Sequence, residues 1–188
     1  MMNRRIAMTA AVFVAGSSVL SAADFRVDFD SRTSGIDLEV SNAENQLKVI
    51  YSGWDRERAK QYVEVRGKLS GEWREYSIAF TPKKDGDVRF LLRSPYTKAP
   101  AVPQFVAYDD VRVEGADPLR NGGFEGKPGA GGGIGGWGAP ANLLQAGDGA
   151  AEGKQYIIAA YQSSAVKKLT VKANVPVTLK FKAKETIR

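Results

Sequence analysis

Residues 175–184 read VPVTLKFKAK. Val175, Val177, Leu179 and Phe181 take every second place, with Thr178, Lys180 and Lys182 between them. Successive side chains of a strand point to opposite faces, so this spacing predicts a strand with one apolar and one polar face. The same period recurs along the chain in Phe25-Val27-Phe29, Ile36-Leu38-Val40, Leu47-Val49-Tyr51, Tyr76-Ile78-Phe80 and Val88-Phe90-Leu92. Val111-Val113, Tyr156-Ile158 and Leu169-Val171 continue it. Turn-rich segments (SRTSG, KKDGD, SPYTKAP, KANVP) separate the runs. One stretch has a helical composition, Asp55 to Tyr62 (DRERAKQY), and it is short and mostly charged. The expected fold class is therefore all-β, an antiparallel β-sandwich of two packed sheets.

The N-terminus reads differently. Arg4 and Arg5 precede an eleven-residue apolar run, Ile6 to Gly16, and Ser21 and Ala23 form a small-x-small site. That order predicts a signal peptide over 1–23, cleaved after Ala23; the run is too short to span a bilayer. The expected product is exported: secreted, periplasmic or at the surface of a bacterial cell. Of the 188 residues, 27 are Lys or Arg and 21 Asp or Glu, a net charge of +6 that falls to +4 without Arg4 and Arg5. The excess is mild and scattered, which argues against nucleic acid as a partner. The chain has no cysteine, so the core must hold the fold without disulfides. It has no histidine either, which removes the commonest general base and zinc ligand.

Ten of the twenty glycines lie between Gly122 and Gly138, in NGGFEGKPGAGGGIGGWG. Gly131, Gly133 and Gly136 match the G-x-G-x-x-G spacing of a dinucleotide turn. That turn needs a strand before it and a helix opening on its last glycine. Here Pro128 precedes and Pro140 follows, so the expected reading is a surface loop over 126–141. Two half-sequences, 24–114 and 119–188, are joined by Gly115-Ala116-Asp117-Pro118; neither has enough strands for two packed sheets, so one domain over 24–188 is expected.

The flanks of the glycine stretch resemble a known family. Asn121-Gly122-Gly123-Phe124-Glu125, Gly136-Trp137, Glu152-Gly153-Lys154 and Val177-Thr178-Leu179-Lys180-Phe181-Lys182-Ala183-Lys184 follow its first half. Trp73-Arg74-Glu75-Tyr76 running to Phe80-Thr81-Pro82, with Tyr108-Asp109-Asp110-Val111, follows its second half. Together they are similar to the jelly-roll carbohydrate-binding modules attached to cellulases and xylanases, within the galactose-binding-like superfamily. The halves stand in reversed order here. Either the chain is a circular permutant, whose ends would lie close together, or it joins parts of two modules of a longer tandem protein.

The resemblance implies a jelly-roll sandwich that binds a polysaccharide or other glycan, next to a neighbouring enzyme or envelope component. It also implies a structural Ca²⁺ held by Glu125, the Gly123 carbonyl, Asp110 (or Asp109) and the loop at Glu152, all oxygen donors of the kind calcium takes. Trp73 and Trp137 fall at framework positions and are expected in the core. For the sugar, flat aromatic rings in polar surroundings are the candidates, because pyranose C–H faces pack on them. Trp54 sits in a charged segment, Tyr96 in SPYTKAP, and Tyr161 beside Gln162; Arg56 and Gln162 could bond hydroxyls.

Catalysis finds little support. Asp109 and Asp110 are adjacent, and adjacent residues of a regular strand face opposite ways, so they would not flank one bond. Ser52, Ser163 and Ser164 have no histidine to activate them. The expectation is a non-catalytic glycan-binding module. Its rivals are an adhesion module making protein contacts without sugar, and a fragment of a tandem glycoside hydrolase.

Overall fold

A computed structural model describes residues 23–41, 47–52, 56–99, 101–127 and 133–187, the side chains of Arg56 and Glu57 excepted. Residues 1–22 of the expected signal peptide and Trp54 lie outside these residues. The described strands are β1 (Asp24–Asp30), β2 (Leu38–Ser41), β3 (Lys48–Tyr51), β4 (Tyr62–Lys68), β5 (Arg74–Pro82) and β6 (Gly86–Arg93). After them come β7 (Phe105–Glu114), β8 (Leu144–Ala146), β9 (Gln155–Ala159), β10 (Ala165–Val171) and β11 (Val177–Thr186). The stretch expected to be helical contains a 3-10 turn, Arg56–Gln61, and leads directly into β4.

All named pairings are antiparallel, in a five-stranded sheet of order β10-β6-β1-β4-β3 and a six-stranded sheet of order β2-β5-β11-β7-β9-β8. The halves of the sequence interleave: β10 pairs with β6, and β11 lies between β5 and β7. The two ends of the described chain also meet. The Ala23 carbonyl accepts the Leu69 N–H at 2.8 Å, and the Ser70 carbonyl accepts the Glu185 N–H at 2.8 Å.

The apolar phase of each strand builds the space between the sheets. Phe25, Val27 and Phe29 of β1 face Tyr76, Ile78 and Phe80 of β5 and Leu179 and Phe181 of β11, all buried. Phe25 meets Phe181 edge-on with ring centres 5.2 Å apart, and Phe29 lies 4.9 Å from Phe80. Each fully buried aromatic of this kind stabilises by roughly 1.5–3 kcal/mol over its exposed state. Tyr108 of β7 crosses the core and donates its hydroxyl toward the carbonyls of Arg93 (2.7 Å) and Arg26 (3.1 Å), tying β7 to the opposite sheet. Burial pushes its phenol pKa far up, so it stays a neutral donor.

Three local expectations need correction. In β9 the core takes Ile157 and Ala159, one residue out of phase with Tyr156-Ile158. The described end of the glycine stretch is anchored rather than a free surface loop: Ile134, Trp137 and Ala139 are buried, and Trp137 packs 5.0 Å from Phe124 and 5.7 Å from Phe90. Finally, β7 is not regular at Asp109-Asp110. A bulge opposite Phe181 sets Asp110 at φ 49°, so the two aspartates do not alternate as strand neighbours would.

Candidate functional site

The outward phase of the five-stranded sheet is charged. Register places Arg26 between Arg66 and Arg93, Asp28 between Glu64 and Leu91, and Asp30 between Tyr62 and Arg89. A row of three arginines thus borders a row of acids, and the side chains pair along the strands. Arg26 bonds Asp28 at 2.7 Å and Glu64 at 2.9 Å; Arg93 reaches Asp28 at 3.2 Å, and Arg66 pairs with Glu64. The Tyr62 hydroxyl donates to Asp28 at 2.7 Å. Asp28 is fully buried and satisfied on both oxygens.

Burial, reinforced by the Asp28 charge, raises the Tyr62 phenol to about 12. Asp30 accepts from Arg32 at 2.9 Å and Arg89 at 2.9 Å. Burial works to raise its carboxyl, but the Arg32 hydrogen bonds and the two positive charges outweigh this and hold it below the usual range.

Tyr161 closes this network from above. The guanidinium carbons of Arg93 and Arg26 lie 5.2 Å and 5.4 Å from its ring centre, within cation–π range. Its turn, between β9 and β10, is held by the Ala160 N–H donating to the Ser163 carbonyl at 2.9 Å. The loop from β6 to β7 comes up beside it and sets Tyr96 against Tyr161, ring centres 5.1 Å apart and planes at 60°.

Beside this ring pair lies a cavity of about 250 Å³, bordered by Tyr96, Thr97, Gln104, Tyr161 and Gln162, with Pro95 and Pro103 in its wall. Proline fixes φ and supplies no N–H, so these two stiffen a loop that has no ladder to join. The lining carries hydroxyls, amides and rings but no charged side chain. Tyr96 is 59% exposed. Chemically, this is an open notch with two ring faces and neutral hydrogen-bonding groups, on a base fixed by buried ion pairs.

The second region picked from the sequence lies on the other sheet. Gly122 packs onto the β7 bulge: Val111 N–H donates to the Gly122 carbonyl at 3.0 Å. Trp137 Nε1 donates to the Asn121 carbonyl at 2.8 Å, and Asn121 Nδ2 donates to the Gly135 carbonyl at 2.9 Å. So the N-G-G-F-E and G-W motifs form one cross-braced turn. Asp109 is buried, with the backbone N–H groups of Asp110, Ala151 and Glu152 donating to it at 2.7 to 3.0 Å. Desolvation still leaves its carboxyl above the usual range.

The expected calcium ligands are engaged by nitrogen donors. Glu125 Oε1 accepts the backbone N–H groups of Lys154 and Gln155 at 2.7 and 2.8 Å. Asp110 pairs with Arg112 at 3.1 Å and Lys182 at 3.3 Å, and Glu152 shares Lys182 at 3.3 Å. An ammonium thus stands between Asp110 and Glu152, where a Ca²⁺ bridging them would have to sit. Calcium wants six to eight converging oxygens. Among the described residues, no group of three or more Asp or Glu side chains is placed to hold a metal ion. In this arrangement Lys182 and backbone N–H groups hold the carboxylates expected to take the ion.

Of the sugar-binding candidates, Tyr96, Tyr161 and Gln162 come together in the notch. Arg56 has its backbone in the 3-10 turn, with its side chain outside the described part, as all of Trp54 is. Trp137 is in the core as expected. Trp73 is not: it lies half-buried on the outer face, donating Nε1 to the Gly149 carbonyl at 2.9 Å, with Lys184 Nζ 4.6 Å over its ring. The sequence reading missed Gln104 and the network under Tyr161. Its signal was present as opposite charges on one phase, in Arg26-Asp28 and Glu64-Arg66. No family model, curated relative or solved structure matched the chain. Among the described residues no helix is long and apolar enough to cross a membrane.

Proposed function

We propose that the chain is a non-catalytic, exported module that reversibly binds a glycan in the notch bordered by Tyr96 and Tyr161. One observation carries this reading: two tyrosine rings, 5.1 Å apart, line an open and uncharged cavity on a base that is already locked. Sugar rings offer C–H faces to aromatics and hydroxyls to amides and hydroxyls, and Gln104, Gln162 and Thr97 supply the latter. A pre-set site loses less ordering entropy on binding. The motif resemblance to jelly-roll carbohydrate-binding modules points the same way. The interleaved halves, with Ala23 and Glu185 bonded to the consecutive residues Leu69 and Ser70, agree with a permuted order. Calcium is left out of this reading, because Lys182 pairs with both Asp110 and Glu152.

The loop that carries Tyr96 also carries Val102, which is 81% exposed and favours the adhesion reading, with protein as the partner. A panel of soluble and insoluble polysaccharides, titrated against the full chain and against Tyr96→Ala, separates the two. Binding that drops at least tenfold in the variant is the expected result. Absence of binding across the panel, or binding indifferent to Tyr96, overturns the proposal.

A further inference from the structure

Resting on the glycan reading, we infer that the notch takes one uncharged sugar residue at the end of a chain, not an internal stretch of polysaccharide. The size is the first argument. About 250 Å³ lies below the roughly 300–1,000 Å³ of sites that enclose a drug-sized ligand, and leaves room for one pyranose ring with part of a second.

The ring geometry is the second argument. Coplanar rings would offer a platform for a flat run of sugars. Tyr96 and Tyr161 stand at 60° in edge-to-face contact, so together they offer no continuous flat platform, only a short aromatic wall.

The third argument is what surrounds the notch. An internal binder needs open polar side chains leading away across a sheet. Beyond Tyr161 the five-stranded sheet presents Arg26, Asp28 and Glu64, all buried and paired with one another. Subsites there would require breaking buried ion pairs, which is strongly unfavourable.

The charge follows from the lining. No ionised side chain borders the cavity, and the two arginines behind Tyr161 are turned to Asp28 and Glu64 and covered by the ring. A carboxylate entering here would lose water and gain no cation, a net cost. A neutral terminal sugar meets only hydroxyl, amide and ring partners.

The test is calorimetric titration of the full chain with neutral sugars from monosaccharide to hexasaccharide, alongside a series whose terminal residues have been oxidised to carboxylates. The expected result is an affinity per mole of chain that changes by less than about threefold from disaccharide to hexasaccharide, and a loss of at least tenfold on oxidation. Tyr161 also covers Arg26 and Arg93, so the informative variants are the exposed Tyr96→Ala and Gln162→Ala. Each should weaken every chain length by the same factor. Affinity that climbs tenfold or more with length overturns the end-recognition inference and leaves glycan binding standing. Equal or tighter binding of oxidised ends overturns the uncharged specificity alone. No binding at any length overturns the glycan reading itself.

Discussion

Two neighbouring glycines, Gly122 and Gly123, should respond very differently to alanine. A Cβ on Gly122 would lie 1.9 Å from the Val111 carbonyl oxygen and 3.1 Å from its carbon, both backbone atoms at the β7 bulge. Ordinary contact is about 3.5 Å, so the turn must retreat by about 1.5 Å. That retreat breaks the bond from Val111 N–H to the Gly122 carbonyl, now 3.0 Å. A buried backbone pair lost in this way costs about 1–3 kcal/mol. Strain in the surrounding packing adds about 1–3 kcal/mol. The entropy gained by removing a glycine returns only about 0.4–1 kcal/mol. A net loss of about 3 kcal/mol lowers the melting midpoint of a chain this size by about 10 °C, at roughly 2–4 °C per kcal/mol. At Gly123 the added Cβ meets nothing closer than Glu125 Cγ at 3.9 Å. The same substitution there should shift the midpoint by less than about 3 °C. The assay is a thermal melt of the full chain and both variants, with a urea titration as a check on cooperativity. Equal shifts in the two variants would refute the reasoning, since it rests entirely on where Val111 sits.

Three further outcomes are expected. Asp28→Ala leaves Arg26 and Arg93 short of a buried partner and should cost about 3–5 kcal/mol in urea unfolding, unrescued by salt because buried pairs are weakly screened; a loss below about 1 kcal/mol would mean the network is wet. Tyr62 has its phenol raised to about 12, so its contribution is fully present below the ordinary value near 10 and is lost as pH rises through the folded value. Between about pH 10 and 12, wild type should therefore lose more stability than Tyr62→Phe, and parallel alkaline limbs would contradict the buried phenol. Because Lys182 bridges Asp110 and Glu152, millimolar calcium and EDTA should give the same melting midpoint. A rise with calcium would show that a native site exists and that Lys182 yields it.

The strands that were legible in the sequence are those whose outward residues are polar. Along Tyr76-Ile78-Phe80 of β5 and Val177-Leu179-Phe181 of β11 every second side chain is large and apolar and its neighbours in the strand are Lys, Ser, Thr, Glu or, once, the small Ala79, so the period and the phase can both be read. In β9, Tyr156-Ile157-Ile158-Ala159 are all apolar, and nothing local says which pair faces in; a one-residue error exchanges the faces. β4 escaped for the opposite reason. Val63 and Val65 mark its buried phase, but they are only two apolar residues among Glu64, Arg66 and Lys68, directly after the charged DRERAKQ. The Asp109-Asp110 argument failed because a bulge is set by the partner strand, and one residue of extra length in β7 is invisible without β11 beside it.

The candidate site shows the same limit more sharply. Tyr96, Tyr161 and Gln162 were separable as residues, since a tyrosine among Ser, Pro, Thr and Gln has no apolar run to join. Their union was not readable, because 65 positions divide Tyr96 from Tyr161 and it takes the pairing of β6 with β10 and of β7 with β9 to bring the two loops to one edge. What holds Tyr161 there is further hidden. Arg26 and Arg93 become its floor through the β1–β6 register, and they are tolerated under it only because Asp28 and Glu64 arrive on the same phase. Loops bind with precision when the scaffold beneath them cannot move. Here the charged face that composition alone would assign to solvent supplies that rigidity, and the neutral loops above it are left free to meet a ligand.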